Sequence, residues 1–302
     1  MSFSLIKDYL AKQYSENSPQ GGKRLFSKAL PCPNRTEPLV SIVTVVYNAA
    51  DCLKETIESV IGQKYPHLEY ILVDGGSTDQ TLSIIKNYED FIDYWVSEPD
   101  RGLYDAMNKG ISLSTGQLIG ILNAGDRYEP EAIATLVEHW QNQTHPAIFT
   151  GNCRVLTEKF DQKSPNGDRA ITESGNPQRL PSRMIPHAAV FVTKDVYESQ
   201  GLFDLGFKIA SDFDFLCRCC QSAIPFHFID QTVVTTDPRG ISGNYYKSEW
   251  DYAKIRLRYA LIPPWKALSL SFYSFITITI HHCLSFLGLW HFVEERRYES
   301  SR

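Results

Sequence analysis

The chain has 302 residues, 43% of them hydrophobic and 22% charged, enough apolar material for one large packed domain or two small ones. Its 30 Lys and Arg against 35 Asp and Glu leave a formal net charge of −5, so no global positive field draws it onto nucleic acid, and none is expected as a partner. Seven cysteines, at 32, 52, 153, 217, 219, 220 and 283, are odd in number and have no His at zinc-finger spacing; Cys217 and Cys220 stand with two residues between them in the run CRCC, and the seven read as reduced thiols.

The first 20 residues mix charges among the apolar positions and contain no continuous apolar core, so they do not read as a secretory signal and a cytoplasmic location is expected. Residues 1–37 form an extension, an amphipathic stretch and then a Gly, Ser and Pro-rich connector. The run VSIVTVV at 40–46 is apolar and β-branched, as suits a strand buried on both faces of a parallel sheet. After the turn YNAA, Asp51 is placed to cap a helix carrying Leu53, Ile57, Val60 and Ile61. EYILV at 69–73 is the next strand, GGSTDQ a turn, Leu82, Ile85 and Tyr88 mark a second helix, and DYWV is a short strand. A helix over Tyr104 to Leu113, a strand over 117–123 and a helix opened by Pro130 with Ile133, Leu136, Val137 and Trp140 continue the alternation. The Cys217, Cys219 and Cys220 cluster reads as small buried side chains on a further helix; a soft-metal site is the other reading.

Alternating strands and helices predict right-handed crossovers and an α/β fold with a twisted, mainly parallel sheet. Ligands of such sheets sit beyond the carboxyl ends of the strands, where this chain places YNAA, DGGSTD, SEPDRG and NAGD. All four segments are polar and turn-forming. Neither G-x-G-x-x-G nor G-x-x-x-x-G-K-[ST] is present, which sets aside dinucleotide-binding dehydrogenases and P-loop proteins.

With their order and spacing, the segments VSIVTVVYNAADCLKETIESVIGQ, YILVDGGSTDQT, SEPDRGLYDAMNKGI and GILNAGD resemble family 2 glycosyltransferases of the GT-A fold. The resemblance is closest to the bacterial branch that builds exopolysaccharide, colanic-acid or lipid-linked surface glycans. It spans Pro38 to Gly243 and implies a catalytic domain over 38–243, followed by a C-terminal tail over 244–302.

The resemblance also implies roles. It sets Asp74 against the nucleobase of a nucleoside-diphosphate-sugar donor, where a carboxylate can accept an N–H; turn formation is the competing role. Thr44 and Tyr47 stand near the base, or serve core and turn. Ser77 and Asp79 cap the second helix, with Asp79 a lesser binding candidate. Asp100 and Arg101 contact nucleotide or diphosphate, or form a solvated turn, and Arg101 is the cation best suited to phosphate oxygens. Asp105, Asn108 and Lys109 rank below it. NAGD stands at the family's metal motif, so Asp126 is the expected ligand of Mg²⁺ or Mn²⁺, with Asn123 helping, while Gly125 replaces an acid. Further on, Asp212 in SDFD aligns with the general base that takes the acceptor hydroxyl's proton, and Asp214 fixes local structure. His187 is a site or core residue, and Arg239, Gly240 and Ser242 resemble a loop over the active site.

The implied reaction is a single inverting displacement that passes a sugar to a glycan or lipid-linked acceptor. A non-catalytic sugar-nucleotide-binding protein and a nucleotidyltransferase remain as alternatives, and oligomeric state is not legible. Residues 267–293 contain no Asp, Glu, Lys or Arg, yet Ser, Thr, His281 and His282 dilute the segment. A helix lying in the membrane interface is therefore expected over a spanning one, with packing on the catalytic domain or a second copy as the competing arrangement. Lys247, Lys254, Arg256, Arg258 and Lys266 would meet anionic lipid at the inner face of the plasma membrane.

Overall fold

The computed structural model describes residues 18–26, 37–141, 143, 146–157, 169–180, 182, 184–236, 245–260 and 262–286. Cys32, Arg239, Gly240, Ser242 and the tail beyond Phe286 lie outside them, as do the side chains of Lys247, His281, His282 and Cys283.

The elements run β1 (Gln20–Gly21), α1 (Lys23–Phe26), β2 (Val40–Val46), α2 (Ala50–Ile61), β3 (Leu68–Asp74), α3 (Thr81–Asn87), β4 (Tyr94–Ser97), α4 (Leu103–Leu113), β5 (Leu118–Asn123), β6 (Arg127–Tyr128) and α5 (Ala132–Gln141). They continue through β7 (Ile148–Thr157), β8 (Arg169–Glu173), β9 (Val190–Thr193), α6 (Lys194–Gln200), α7 (Ser211–Gln221), β10 (Phe226–Thr236), α8 (Tyr245–Tyr259) and α9 (Pro264–Phe286).

Among the described residues, one sheet of ten strands takes the order β1-β4-β3-β2-β5-β9-β7-β10-β6, with β8 paired to β7. The run β4-β3-β2-β5 is parallel, as the alternation predicts. Beyond β5 the sheet is mixed: β9 is antiparallel to both β5 and β7, while β7 and β10 are parallel.

Every residue of β2 is buried because each face of the strand meets its own core. Val43 and Val45 join Ile71, Ile121, Tyr104 and Met107 on the side of α4 and α7. Val40, Ile42 and Val46 join Leu53, Ile57 and Leu136 on the side of α2 and α5. At about 1.5–3 kcal/mol per buried large aliphatic side chain, this double burial stabilises the centre of the sheet and explains the unbroken apolar run. Helix α4 approaches β2 so closely that a Cβ on Gly110 would lie 2.1 Å from Val43 Cγ1. Cys217 and Cys219 are buried on α7, and burial pushes the Cys219 thiol up to about 12.

Two local expectations need correction. Asp51 does not cap α2: Ala49 holds the N-cap position without a side-chain bond, and the exposed amides of Ala49 and Ala50 donate instead to Thr81 Oγ1 and Asp79 Oδ2, at 3.0 and 3.2 Å. The amino ends of α2 and α3 thus share one set of capping oxygens. Pro130 does not open α5, because Glu131 adopts φ 64°, a left-handed conformation that delays the helix to Ala132. The N-terminal extension supplies an edge strand, β1, antiparallel to β4, and Arg24 of α1 bonds Leu113 O and the buried carboxylate of Glu69.

Candidate active site

Strands β2, β3, β4 and β5 are parallel, so their carboxyl ends open on one edge, and the chain crosses from the β3–β4 side of β2 to the β5 side. That crossover makes a switch point of the kind where α/β sheets bind ligands.

At the β2–β3 end the turns are tied to each other. Asn48, at φ 47°, receives the Thr78 N–H on its side chain at 2.8 Å and gives its own N–H to Ser77 Oγ at 2.8 Å. Asp74 is 0% exposed. Its carboxylate accepts the Ser77 N–H at 3.1 Å, the Ser77 hydroxyl and the Ser97 hydroxyl at 2.6 Å. The group is enclosed and engaged in joining β3, β4 and the turn. Thr44 is likewise 0% exposed, in mid-strand, and its hydroxyl accepts from Tyr70 at 3.1 Å. Asp79 is exposed and caps two helices, taking the Thr81 N–H at 2.9 Å as well as that of Ala50. Slight desolvation opposes these hydrogen bonds, which nevertheless hold its carboxyl below the ordinary value.

Tyr47 is 60% exposed at the end of β2. Beside it Gly75 leaves a gap that another carboxylate fills: a Cβ at Gly75 would lie 2.4 Å from Asp100 Oδ2 and 3.4 Å from the Tyr47 ring. Asp100 Oδ1 accepts the Gly102 N–H at 2.8 Å. Burial pushes the Asp100 carboxyl up, against the Gly102 hydrogen bond and the charge of Lys109. Arg101 keeps 55% of its side chain exposed, with its guanidinium tethered at 2.9 Å to Asp105. Lys109 is spent internally, 2.9 Å from Glu98 and 3.9 Å from Asp105 on an almost fully buried site, which leaves Arg101 as the accessible cation of this loop.

On the other side of β2, the turn after β5 folds back through the Asp126 N–H to Asn123 O at 3.0 Å, with Gly125 at φ 101° donating its N–H to Thr56 Oγ1. Only glycine adopts that φ without strain, so the acid missing from the motif is replaced by a residue the turn itself favours. Asn123 Nδ2 lies 2.9 Å from His187 Nε2, and His187 Nδ1 lies 3.5 Å from Asp212 Oδ2. Asp212, in the first turn of α7, takes the Phe213 N–H on Oδ1 at 2.9 Å, and the Tyr104 hydroxyl is 2.9 Å from the same oxygen. Burial, then the charge of Asp212, push the Tyr104 phenol far above its ordinary value, so it stays protonated. For His187, burial is outweighed by the hydrogen bond and charge of Asp212, aided by Asp126, and the imidazole pKa is raised. Tyr104 was not singled out from the sequence, although it opens the helix next to the SEPDRG loop. His187 and Asp212 line a pocket whose other walls include Ile121, Val192, Phe203 and Phe215.

Asn123 Oδ1 is buried without a hydrogen-bond partner, three residues before the Asp126 carboxylate. Among the described residues no group of three or more His, Cys, Asp and Glu is arranged to hold a metal ion. One carboxylate with one amide oxygen fits a hard cation of the Mg²⁺ kind, which keeps waters and takes its remaining ligands from substrate phosphates.

The glycosyl transferase family 2 profile matches residues 41–195. An uncharacterized glycosyltransferase of Mycobacterium tuberculosis H37Rv is 33% identical over 193 residues, 62% of this chain and 71% of that protein. A PGL/p-HBAD biosynthesis glycosyltransferase of Mycobacterium bovis BCG is 28% identical, covering 60% of this chain and 70% of its own length. Among solved structures, S. aureus TarS 1-349 in complex with UDP-GlcNAc superposes with a TM-score of 0.59 at 15% identity, over 77% of this chain and 70% of that one. A further S. aureus TarS structure is matched over 42% of that chain. A mannosyltransferase from Pyrobaculum calidifontis in complex with GDP-Man and Mn²⁺ gives 0.58 at 15% identity, over 91% and 81%. These structures share the GT-A fold with the α/β sheet described above. The profile covers just over half of the chain, and its span includes both turns that bound the cleft and His187: the chain belongs to glycosyl transferase family 2.

Proposed function

We propose that the chain moves a sugar, with inversion at the anomeric carbon, from a nucleoside-diphosphate sugar to a hydroxyl of a lipid-linked or polysaccharide acceptor in surface-glycan synthesis. The observation that carries this reading is the row Asn123, His187, Asp212, which joins the turn after β5 to the helix bearing the base. Asp212 Oδ1 is held by the Phe213 amide and the Tyr104 hydroxyl, so Oδ2 is the oxygen left to take a proton. As the acceptor oxygen bonds to the anomeric carbon, its proton passes to Asp212, and the bond to the diphosphate breaks with its electron pair leaving on the nucleoside diphosphate. No covalent enzyme intermediate is needed.

At the other end of the cleft, the Tyr47 ring and the Asp100 carboxylate take the place first assigned to Asp74. Asp100 Oδ2 sits over Gly75, positioned to accept an N–H from a base lying on Tyr47. Arg101 contributes a guanidinium to the diphosphate between the two ends. A divalent cation held by Asp126 and Asn123 would offset charge on the departing phosphates. The acceptor is presented at a membrane surface, on the inner face of the plasma membrane.

A screen of UDP-, GDP- and dTDP-sugars with Mg²⁺ or Mn²⁺ and a membrane lipid extract, read by nucleoside diphosphate release, tests the proposal. Release that depends on one donor and on the extract is the expected result. Donor binding without release under any condition would instead establish a non-catalytic sugar-nucleotide-binding protein, the reading favoured by Gly125 standing where a second acid would be.

A further inference from the structure

Among the described side chains, helix α9 is buried along the side that carries Ala267. Ala267 is buried and Leu270 and Ser271 are half-buried, with Ser271 Oγ 3.2 Å from Arg256 Nη1 of α8. On the same helix Trp265, Leu268, Phe272, Tyr273, Phe275 and Ile276 are 40–71% exposed. At about 100° per residue these six side chains fall within roughly half of the helix circumference, opposite Ala267, so they form one continuous face and not scattered exposures. A face rich in Trp, Tyr and Phe, with the exposed Lys266 beside Trp265 and the half-exposed Lys254 and Arg258 on α8, the latter paired with Asp204 and Asp214, has the composition of a helix lying in a lipid interface. No helix among the described residues is long and apolar enough to cross a membrane.

The anchor of α9 leads to the general base. Arg256 of α8, 5% exposed, stacks over Phe213 at 5.6 Å and Tyr252 at 5.7 Å, and Phe213 meets Tyr252 edge-on at 5.1 Å. One residue on, the buried Asp214 accepts from Arg258 at 3.1 Å and Tyr259 at 3.0 Å. Phe213 and Asp214 directly follow Asp212 in the first turn of α7. Helix α8 is therefore clamped between the exposed apolar helix and the turn that aims the base.

We infer that the exposed face of α9 is a docking surface for an anionic lipid bilayer, and that α8 transmits this attachment to the first turn of α7. The docking part stands by itself, while the benefit to catalysis rests on the sugar-transfer reading above. Cationic flanks select acidic headgroups, and the aromatic face enters the boundary below them.

The experiment uses the full chain with vesicles of phosphatidylcholine alone or mixed with phosphatidylglycerol, scored by co-sedimentation and by hydrogen–deuterium exchange of residues 211–221. The mixed vesicles are expected to bind at least tenfold more tightly than phosphatidylcholine alone, and Phe272→Asp with Phe275→Asp is expected to remove that binding from a protein whose far-UV spectrum is unchanged. Binding is expected to slow exchange in 211–221, whereas Tyr259→Phe with Ser271→Ala binds vesicles as before but loses the slowing. Equal affinity for the two vesicles, or a stable dimer that the Phe272 and Phe275 substitutions dissociate and that ignores lipid, overturns the docking surface. Unaltered exchange in 211–221 on bound wild-type protein overturns the relay. Calorimetry with UDP and GDP in the same preparation separates the two ideas: vesicle binding without nucleotide binding defeats the transferase reading alone, and the converse defeats this one alone.

Discussion

Two buried carboxylates mark the ends of the cleft, and they are used in opposite ways. Asp74 is sealed, with both oxygens taken by Ser77 of the turn that follows it and Ser97 at the end of β4. Asp212 has one oxygen fixed by Phe213 and Tyr104 and the other facing His187 across 3.5 Å. Both Asp74 oxygens close on groups of the protein itself, which is the pattern of a scaffold. Around Asp212 the neighbourhood is incomplete, down to an Asn123 Oδ1 without a partner, and unmet polar capacity in a cleft is where a ligand has something to offer.

The sharpest way to break this comparison is Asp212→Asn. The amide keeps the shape and an acceptor for Phe213 and Tyr104 but takes no proton, so turnover is expected to fall by a factor on the order of 10² or more while calorimetric donor affinity is retained. Near-normal turnover would remove Asp212 from the chemistry. Asp74→Ala is the matching test at the other end. It strands two hydroxyls and an amide, and a loss of about 2–3 kcal/mol in urea unfolding is expected, with turnover per folded molecule nearly intact. Unchanged stability with lost donor binding would return Asp74 to the ligand.

Between the two ends runs the packing that keeps them in register. Gly110→Ala would drive a methyl into Val43 at the centre of the sheet, where neither α4 nor β2 has room to move. Overpacking of this kind costs about 1–3 kcal/mol, seen as a lower thermal midpoint; a neutral result would mean that α4 can shift away from β2.

How much of this was legible in the sequence follows from the same contrast. The parallel run β4-β3-β2-β5 was legible because local rules write it: β-branched runs such as VSIVTVV, amphipathic helices between them, turn residues after each strand. The mixed half was not, since β9 joins β5 to β7 through pairings between distant segments that leave no periodic trace. For the site, position along the chain located the turns that bound the cleft but not the direction of each side chain. Asp74 and Thr44 sit in motifs and point inward, whereas Asp100 reaches the cleft only because Gly75, 25 residues earlier, leaves space for it. Tyr104 touches Asp212 from 108 residues away, a contact no spacing rule supplies.

Asp100 offers the smallest effect and the finest test of the β3 end. Burial raises its carboxyl above the value of 3.8 that it has in the unfolded chain, so folding takes up a proton in the window between the two. The stability this group contributes is therefore fully present below the unfolded value and is lost as pH rises through the folded one. Asp100→Asn should flatten that part of the stability-versus-pH curve, measured by urea midpoints across the acid range. Donor binding runs the other way, because only the ionised carboxylate is a full acceptor for a base N–H: affinity should fall as pH drops through the raised pKa. In Asp100→Asn, with Oδ1 still taking the Gly102 N–H, the side chain presents an amide N–H₂ over Gly75 and repels the same base N–H, so the pH dependence and the base preference should vanish together. If the preference survives in Asp100→Asn, the base is read elsewhere, and the gap at Gly75 is only a turn.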